Sequence, residues 1–360
     1  MNKLTNILIT SPSIDTNNNI SGISNLTKLL VENNREIRYI LFTVGKKDDE
    51  RRDLKWFIKQ LLLPISFVNF LLKYNISIVH INMPLEKLAS IVNTILAIIC
   101  HLSCKKYIIH VHGGLYNKNY NTPPFQKFLI KQSLRFSARI LTLGEEESFF
   151  INTYYNISQE KIVVLPNSVK VSTNDFIIKP NSKLELLYLG RIDKNKGLFE
   201  IIESLKLIPK VMDFNLNVAG DGPDREWFIH ELSKILGNKF TYHSIVHGLT
   251  KEKLLSLANI FLLPSYYEGL PYALLEAMSF GVVPIVTPVG SIPEVVKHNE
   301  NGLLVAVHNH IDIKNAITLL YSNRILLNEL SLNAYKTIKD NYSIENYINI
   351  LNSTYHEISL

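Results

Sequence analysis

The sequence predicts an α/β protein built from two parallel-sheet domains. Three observations lead there. Short aliphatic and β-branched runs alternate with longer segments of helical periodicity, the pattern of βαβ units. The alternation comes in two series, separated by PNSVKVSTNDFIIKPNS (166–182), a polar stretch with proline near each end that reads as an interdomain linker. The chain has 360 residues, 46% hydrophobic and 19% charged, enough for two cores and too apolar for a disordered chain.

In the first series, strands are expected at Leu4–Thr10, Ile37–Val44, Ile76–Ile81, Tyr107–His112, Arg139–Leu143 and Ile162–Leu165. In the second they are expected at Leu184–Leu189, Asn215–Ala219, Phe240–Val246, Ile260–Leu263 and Val283–Val286. Helical patterns fill most of the gaps, so the sheets should be parallel. The linker divides a first domain, 1–167, from a second beginning at 168.

Composition narrows the class further. Two cysteines exclude a disulfide scaffold and fit a reducing compartment. Cys100 and Cys104 lie four apart in an apolar run and are expected to pack in a core. The N-terminal MNKLTNILIT lacks the long apolar region and small-residue cleavage site of a signal peptide. The longest clean apolar run, Leu88 to Cys100, falls short of the ~20 residues that span a bilayer. A soluble or surface-bound cytoplasmic protein is expected.

Residues 1–167 carry a net charge of +8 and residues 168–360 a net −2. A basic first half fits an anionic partner, whether nucleic acid, a membrane face or a phosphorylated substrate, or else ordinary surface solvation. Lys46, Lys47, Arg51, Arg52, Lys55 and Lys59 accompany Trp56, Phe57, Ile58 and LLLP within 46–74. Such a segment either lies on an anionic membrane or is a core helix with a solvated face.

In open α/β sheets, ligands bind beyond the carboxyl ends of the strands, and the unusual residues fall there. Gly190 allows a tight strand exit, and Arg191 and Lys196 stand just before a helix, which suits a phosphate or diphosphate; solvated loop charges are the other reading. NVAGDGPD turns sharply around Asp221, a candidate helix cap, but contains neither GxGxxG nor a Walker A pattern. Glu268 lies in the loop after Ile260–Leu263, and Glu276 about two turns into the next helix, so both could accept hydrogen bonds from sugar hydroxyls. Leu270, Pro271 and Tyr272 open that helix, where free N–H groups favour an anion. His112, with Gly113 and Gly114, ends a strand at the same edge, and Gly22 stands near a helix start. His110 points the same way as His112, but no other ligand spacing supports zinc.

Taken together, SGIS, HVHGG, LYLGRIDKNKG, VAGDGP, VHGLT, PSYYEGLPYALLEAM and GSIPEVV resemble family 4 retaining glycosyltransferases of the bacterial surface-polysaccharide type. The resemblance runs from Gly22 to Val296. It implies a GT-B fold, two Rossmann-like domains facing each other across a cleft. The ending 341–360 is similar to that family's final helix, which returns to the first domain. The implied domains are therefore 1–167 plus about 343–360, and 168–342.

The same resemblance assigns roles. Arg191 and Lys196 would hold the donor diphosphate, Glu276 the ribose hydroxyls, and Glu268 the transferred sugar. Backbone groups near Val246 would meet the base, Gly22, Gly269, Leu270 and Pro271 would complete the donor site, and His112 would approach the donor sugar across the cleft. Three positions depart from the family: Ser21 precedes a single Gly22, Ser291 replaces a common second glycine, and Pro284 comes one place late.

The implied activity moves a sugar from a nucleoside diphosphate, UDP favoured over GDP, to a hydroxyl of a glycan or lipid-linked acceptor with retention. Glu268 and His112 are the expected catalytic residues. No metal or other cofactor is expected, because no D-x-D pair occurs in a strand-end loop and Arg191 and Lys196 can serve as charge partners. The rivals are a GT-B sugar-nucleotide epimerase and a non-catalytic nucleotide-sugar-binding partner. A nucleic-acid binder has no recognition motif to support it.

Overall fold

The computed structural model describes residues 5–15, 21–45, 50, 53–113, 122–171, 176, 179 and 183–359. The chain forms two compact units, Met1–Pro166 with Ile344–Leu360, and Asn167–Ser343.

The first unit runs β1 (Thr5–Ser11), α1 (Gly22–Asn33), β2 (Ile37–Thr43), α2 (Leu54–Lys73), β3 (Ile78–Pro84), α3 (Lys87–Leu102), β4 (Tyr107–His112), α4 (Pro124–Phe136), β5 (Arg139–Thr142), α5 (Glu145–Tyr155) and β6 (Ile162–Val164). All six strands are parallel, in the order β2-β1-β3-β4-β5-β6. β4 is buried along its length, as a central parallel strand covered on both faces must be, which is why it reads as the unbroken run YIIHVH. α2 packs beside α3 and α3 beside α4, while α1 packs on α13 (Ile344–Ser359). The order reverses between β1 and β3, so the crevice of this sheet lies beyond their carboxyl ends.

The second unit runs β7 (Leu184–Leu189), α6 (Leu198–Lys206), β8 (Phe214–Ala219), α7 (Arg225–Leu236), β9 (Phe240–Tyr242), α8 (Gly248–Leu257), β10 (Ile260–Leu263), α9 (Tyr272–Ser279), β11 (Val283–Val286), α10 (Ile292–Val295), β12 (Leu303–Leu304), α11 (His310–Ser322) and α12 (Arg324–Asn341). Its sheet is also parallel, ordered β12-β11-β10-β7-β8-β9. The reversal falls between β7 and β10, which places the loops after those two strands at the switch point. The chain enters and leaves this unit side by side, through a bridge between Val169 and Ser343.

Two expectations need correction, and one strand was not foreseen. The strand expected over Phe240–Val246 stops at Tyr242, because Ser244 turns into the left-handed region (φ 55) and gives its carbonyl to the Gly220 N–H at 2.7 Å. Cys104 is exposed: α3 ends at Leu102, and Cys104 is left-handed (φ 53) in the turn towards β4, while Cys100 is buried as expected. β12 was not expected; two residues are too few to show a pattern.

Candidate functional site

In the second unit, the loop after β7 is pressed against the loop after β10. Gly197 is left-handed (φ 72), and a Cβ there would stand 2.1 Å from the Pro264 carbonyl oxygen, so only glycine permits this approach. The Tyr266 N–H donates to the Asn195 carbonyl at 2.8 Å and ties the two loops further. Lys196 thereby meets Glu268, with Nζ 2.7 Å from Oε1. Ser265 Oγ donates to the same carboxylate oxygen at 2.8 Å. Behind Glu268, Gly290 (φ 55) leaves the space that a Cβ, 2.2 Å from the Glu268 carbonyl oxygen, would take. The carboxylate is therefore fixed by Lys196 from the loop after β7 and by Ser265 from its own loop, while Gly290 lets a third loop lie against its backbone.

Glu276 occupies α9 one turn after Tyr272, on the same face. Lys251, in the first turn of α8, reaches its Oε1 at 2.5 Å. Burial raises the Glu276 carboxyl above its ordinary range, and the Lys251 charge pulls it back down. Glu276 is thus a paired, largely buried group, set among the buried Leu274, Leu275, Ala277 and Met278.

The remaining expected residues of this unit fall as follows. Arg191 is 70% exposed, and its guanidinium stands 3.9 Å from Asp193. Gly269 accepts the Ser291 N–H at 3.0 Å, Leu270 is buried and gives its carbonyl to Asn167 Nδ2 at 2.7 Å, and Pro271 is the N-cap of α9. Val246 lies in the turn between β9 and α8. Asp221 does not cap α7, whose N-cap is Asp224; its carboxylate accepts the Gly222 N–H at 2.7 Å and faces Arg225 at 3.3 Å.

The first unit carries the other expected residues. Gly22 is the first residue of α1, whose N-cap Ser21 accepts the Ser24 N–H at 3.2 Å. His112 closes β4, in register with Pro84 at the end of β3. Its Nε2 lies 2.8 Å from Asn82 Oδ1, and Asn82 spends its own Nδ2–H on the Thr10 carbonyl at 2.7 Å. That arrangement assigns the proton to Nε2 and leaves Nδ1 as the acceptor nitrogen. His110 stacks on His112 with centroids 4.2 Å apart, and His80 lies 5.5 Å from His110. Burial keeps all three imidazoles neutral: His110 is pushed down to about 3, and His80 and His112, which also feel their histidine neighbours, lie well below the usual range. Gly114 and the basic segment Lys46, Lys47, Arg51 and Arg52 lie outside the described residues.

Lys251, Ser265 and a third cluster escaped the sequence reading. Glu200, buried in α6, accepts from Tyr266 Oη at 2.8 Å and faces His308 Nδ1 at 3.2 Å. Only a buried Glu276 in an apolar segment hinted that some cation must come to meet it. Among the described residues, no group of three or more His, Cys, Asp or Glu side chains is arranged to hold a metal ion.

Residues 172–337 match the family described as glycosyl transferases group 1. An uncharacterized glycosyltransferase of Methanocaldococcus jannaschii is 25% identical over 268 residues, 68% of each chain. An alpha-1,4-N-acetyl-D-galactosaminyltransferase of Campylobacter jejuni is 26% identical over 229 residues, and the match spans 62% of each chain. Among solved structures, HepE from Anabaena in complex with UDP-glucose superimposes with a TM-score of 0.78 over 98% of this chain and 99% of that one, at 14% identity. The chain therefore has the GT-B fold, and its second unit, which brings Lys196 to Glu268 and Lys251 to Glu276, carries the glycosyl transferases group 1 sequence pattern.

Proposed function

We propose that this chain transfers a sugar from a nucleoside-diphosphate sugar, with UDP as the base-bearing half, to a hydroxyl acceptor with retained configuration and without a metal ion. The observation that carries the reading is the Lys196–Glu268 contact at the switch point of the second sheet. A diphosphate there would draw Lys196 Nζ to itself, with Arg191 exposed nearby in sequence and the first turn of α9 as further donors. Preorganised donors of this kind are worth roughly 3 kcal/mol each as the leaving diphosphate gains charge. Glu268, released from Lys196, would face the sugar as it becomes oxocarbenium-like. Glu276 would accept the ribose hydroxyls.

For retention, the acceptor oxygen attacks the anomeric carbon on the face that the diphosphate leaves. The C–O bond to phosphate breaks, the new glycosidic bond forms, and the acceptor proton passes to a donor phosphate oxygen. UDP is supported by the UDP-glucose complex of the similar HepE structure. A lipid-linked acceptor is supported by the Campylobacter relative, whose name places its glycan on PP-undecaprenol.

The test separates the two glutamates. Glu276→Gln should weaken UDP binding about tenfold, because ribose is present in bare UDP. Glu268→Gln should bind UDP as well as the parent or more tightly, since Lys196 loses its competing carboxylate, while turnover falls on the order of a hundredfold. Calorimetric titration with UDP and initial rates with intact donor decide it. The reverse pattern would sink the assignment. Conversion of the free donor without acceptor would point to an epimerase instead.

A further inference from the structure

We propose that the first unit docks on an anionic lipid bilayer through the face built by α2, α3 and α4. Helix α2 is apolar on two sides. Trp56, Leu63, Phe67 and Leu71 pack inwards, with Phe67 meeting Phe42 edge to face at 5.0 Å. Leu54, Phe57, Leu61, Leu62, Ile65 and Leu72 recur at helical spacing on the opposite side and are between 51% and 81% exposed. The stretch Trp56–Lys73 has a mean hydropathy of 1.2 and is long and apolar enough to cross a membrane by length and composition, with 22% of it buried. Its inner residues belong to the unit's core, which places the helix along a bilayer surface with its outer row in the acyl boundary. The neighbouring helices extend the patch, with Leu88 and Ile91 exposed on α3 and Phe125 and Phe128 on α4.

Charge selects the occupant. The three helices hold seven Lys or Arg and no Asp or Glu, although the three on α4 turn towards α5, Lys127 over the Tyr154 ring and Lys131 and Arg135 beside Ser158 and Lys161. The carboxylates of Asp53 and Glu86 stand at the N-caps of α2 and α3, and Glu50 is 3.6 Å from Lys59. The segment 46–53 before α2 balances Lys46, Lys47, Arg51 and Arg52 against Asp48, Asp49, Glu50 and Asp53 and adds no net charge. Residues 1–166 with 344–360 carry all of the net +6, and residues 167–343 carry none. A second copy would bring one positively charged unit against another, whereas anionic headgroups meet the unit with the opposite sign. The inference rests on the surface of the first unit alone and needs no part of the glycosyl-transfer reading.

Flotation of the full chain with vesicles tests it. The chain should float with phosphatidylcholine vesicles containing phosphatidylglycerol, and should remain at the bottom with phosphatidylcholine alone. The exposed pair Leu61→Glu and Leu72→Glu should lower binding to the anionic vesicles at least about tenfold, with an unchanged urea midpoint. Failure of the parent chain to float with anionic vesicles overturns the proposal, and so does equal flotation of parent and double variant. Light scattering that shows a dimer dissolved by the same substitutions, without flotation, gives the face to a second copy and overturns it too.

Discussion

Lowering the pH from 7.5 to 5.5 should destabilise the first unit more than the second. His80, His110 and His112 lie together on β3 and β4, with His80 Nδ1 2.6 Å from the Tyr355 hydroxyl and His112 tied to Asn82. Burial holds all three folded-state values far below 6.5, so the native unit stays unprotonated while the unfolded chain takes up protons. Stability is therefore complete above about pH 6.5 and is lost as the pH falls towards the folded-state values. One unit below 6.5, each imidazole costs about 1.4 kcal/mol, and the three together cost roughly 4 kcal/mol. A domain has only about 5–15 kcal/mol in hand, so the effect is large. The two tryptophans supply separate reporters, Trp56 in α2 of the first unit and Trp227 in α7 of the second. Urea unfolding of Trp227→Phe and Trp56→Phe chains, followed by fluorescence at several pH values, reads each unit alone. In the second unit the raised Glu276 carboxyl works in the opposite direction, because its native form holds a proton more readily than the unfolded one, and it partly offsets Lys179, pushed down to about 7 by burial, and the lowered His243. His110→Leu should remove about a third of the pH dependence. A Trp56 transition that moves no further than the Trp227 transition between pH 7.5 and 5.5 would refute the reasoning.

Other consequences concern the second unit. Lys196→Ala should weaken UDP binding on the order of tenfold or more and lower turnover, with Arg191→Ala weakening it less because its side chain is largely solvated; unchanged affinity in both variants, measured by calorimetry, removes them from the site. The double variant should lose less than the sum of the two if they share one diphosphate. Transfer should persist in EDTA, and activity abolished by EDTA and restored by Mg²⁺ or Mn²⁺ would contradict the metal-free reading.

The strands were legible because buried parallel strands are nearly continuous aliphatic runs. Ile260–Leu263, Val283–Val286 and Leu184–Leu189 occur with the bounds the sequence predicts. The switch-point loops were legible for a related reason: glycine and charged residues directly after such a run have few structural duties. Long-range partners were not legible. Lys251 lies 25 residues from Glu276, and Glu200 lies 66 residues from Tyr266, so nothing local links them. α2 defeated periodicity in another way. With large apolar residues on both its faces, the pattern does not say which face packs, and only the contacts with Phe42 reveal the inner one.

Each glutamate of the site arrives with its own lysine, and the two pairs are not equivalent. Lys251 and Glu276 join α8 to α9 in a largely buried contact, and ribose hydroxyls, being neutral, can join that pair without displacing either member. Lys196 and Glu268 join the loops after β7 and β10, and an incoming diphosphate carries the same sign as Glu268 and competes for the lysine. Under the proposed function, binding of the diphosphate therefore frees a carboxylate beside the sugar it carries. Ser265, which donates to the same oxygen, would keep that carboxylate in place if the lysine turned to the diphosphate. The carboxylate would then be least neutralised by Lys196 when a donor is bound, so transition-state stabilisation by Glu268 would depend on the nucleotide being present. On that reading Glu268→Gln should separate affinity from turnover, whereas Glu276→Gln, whose lysine phosphate would not contest, should change affinity first.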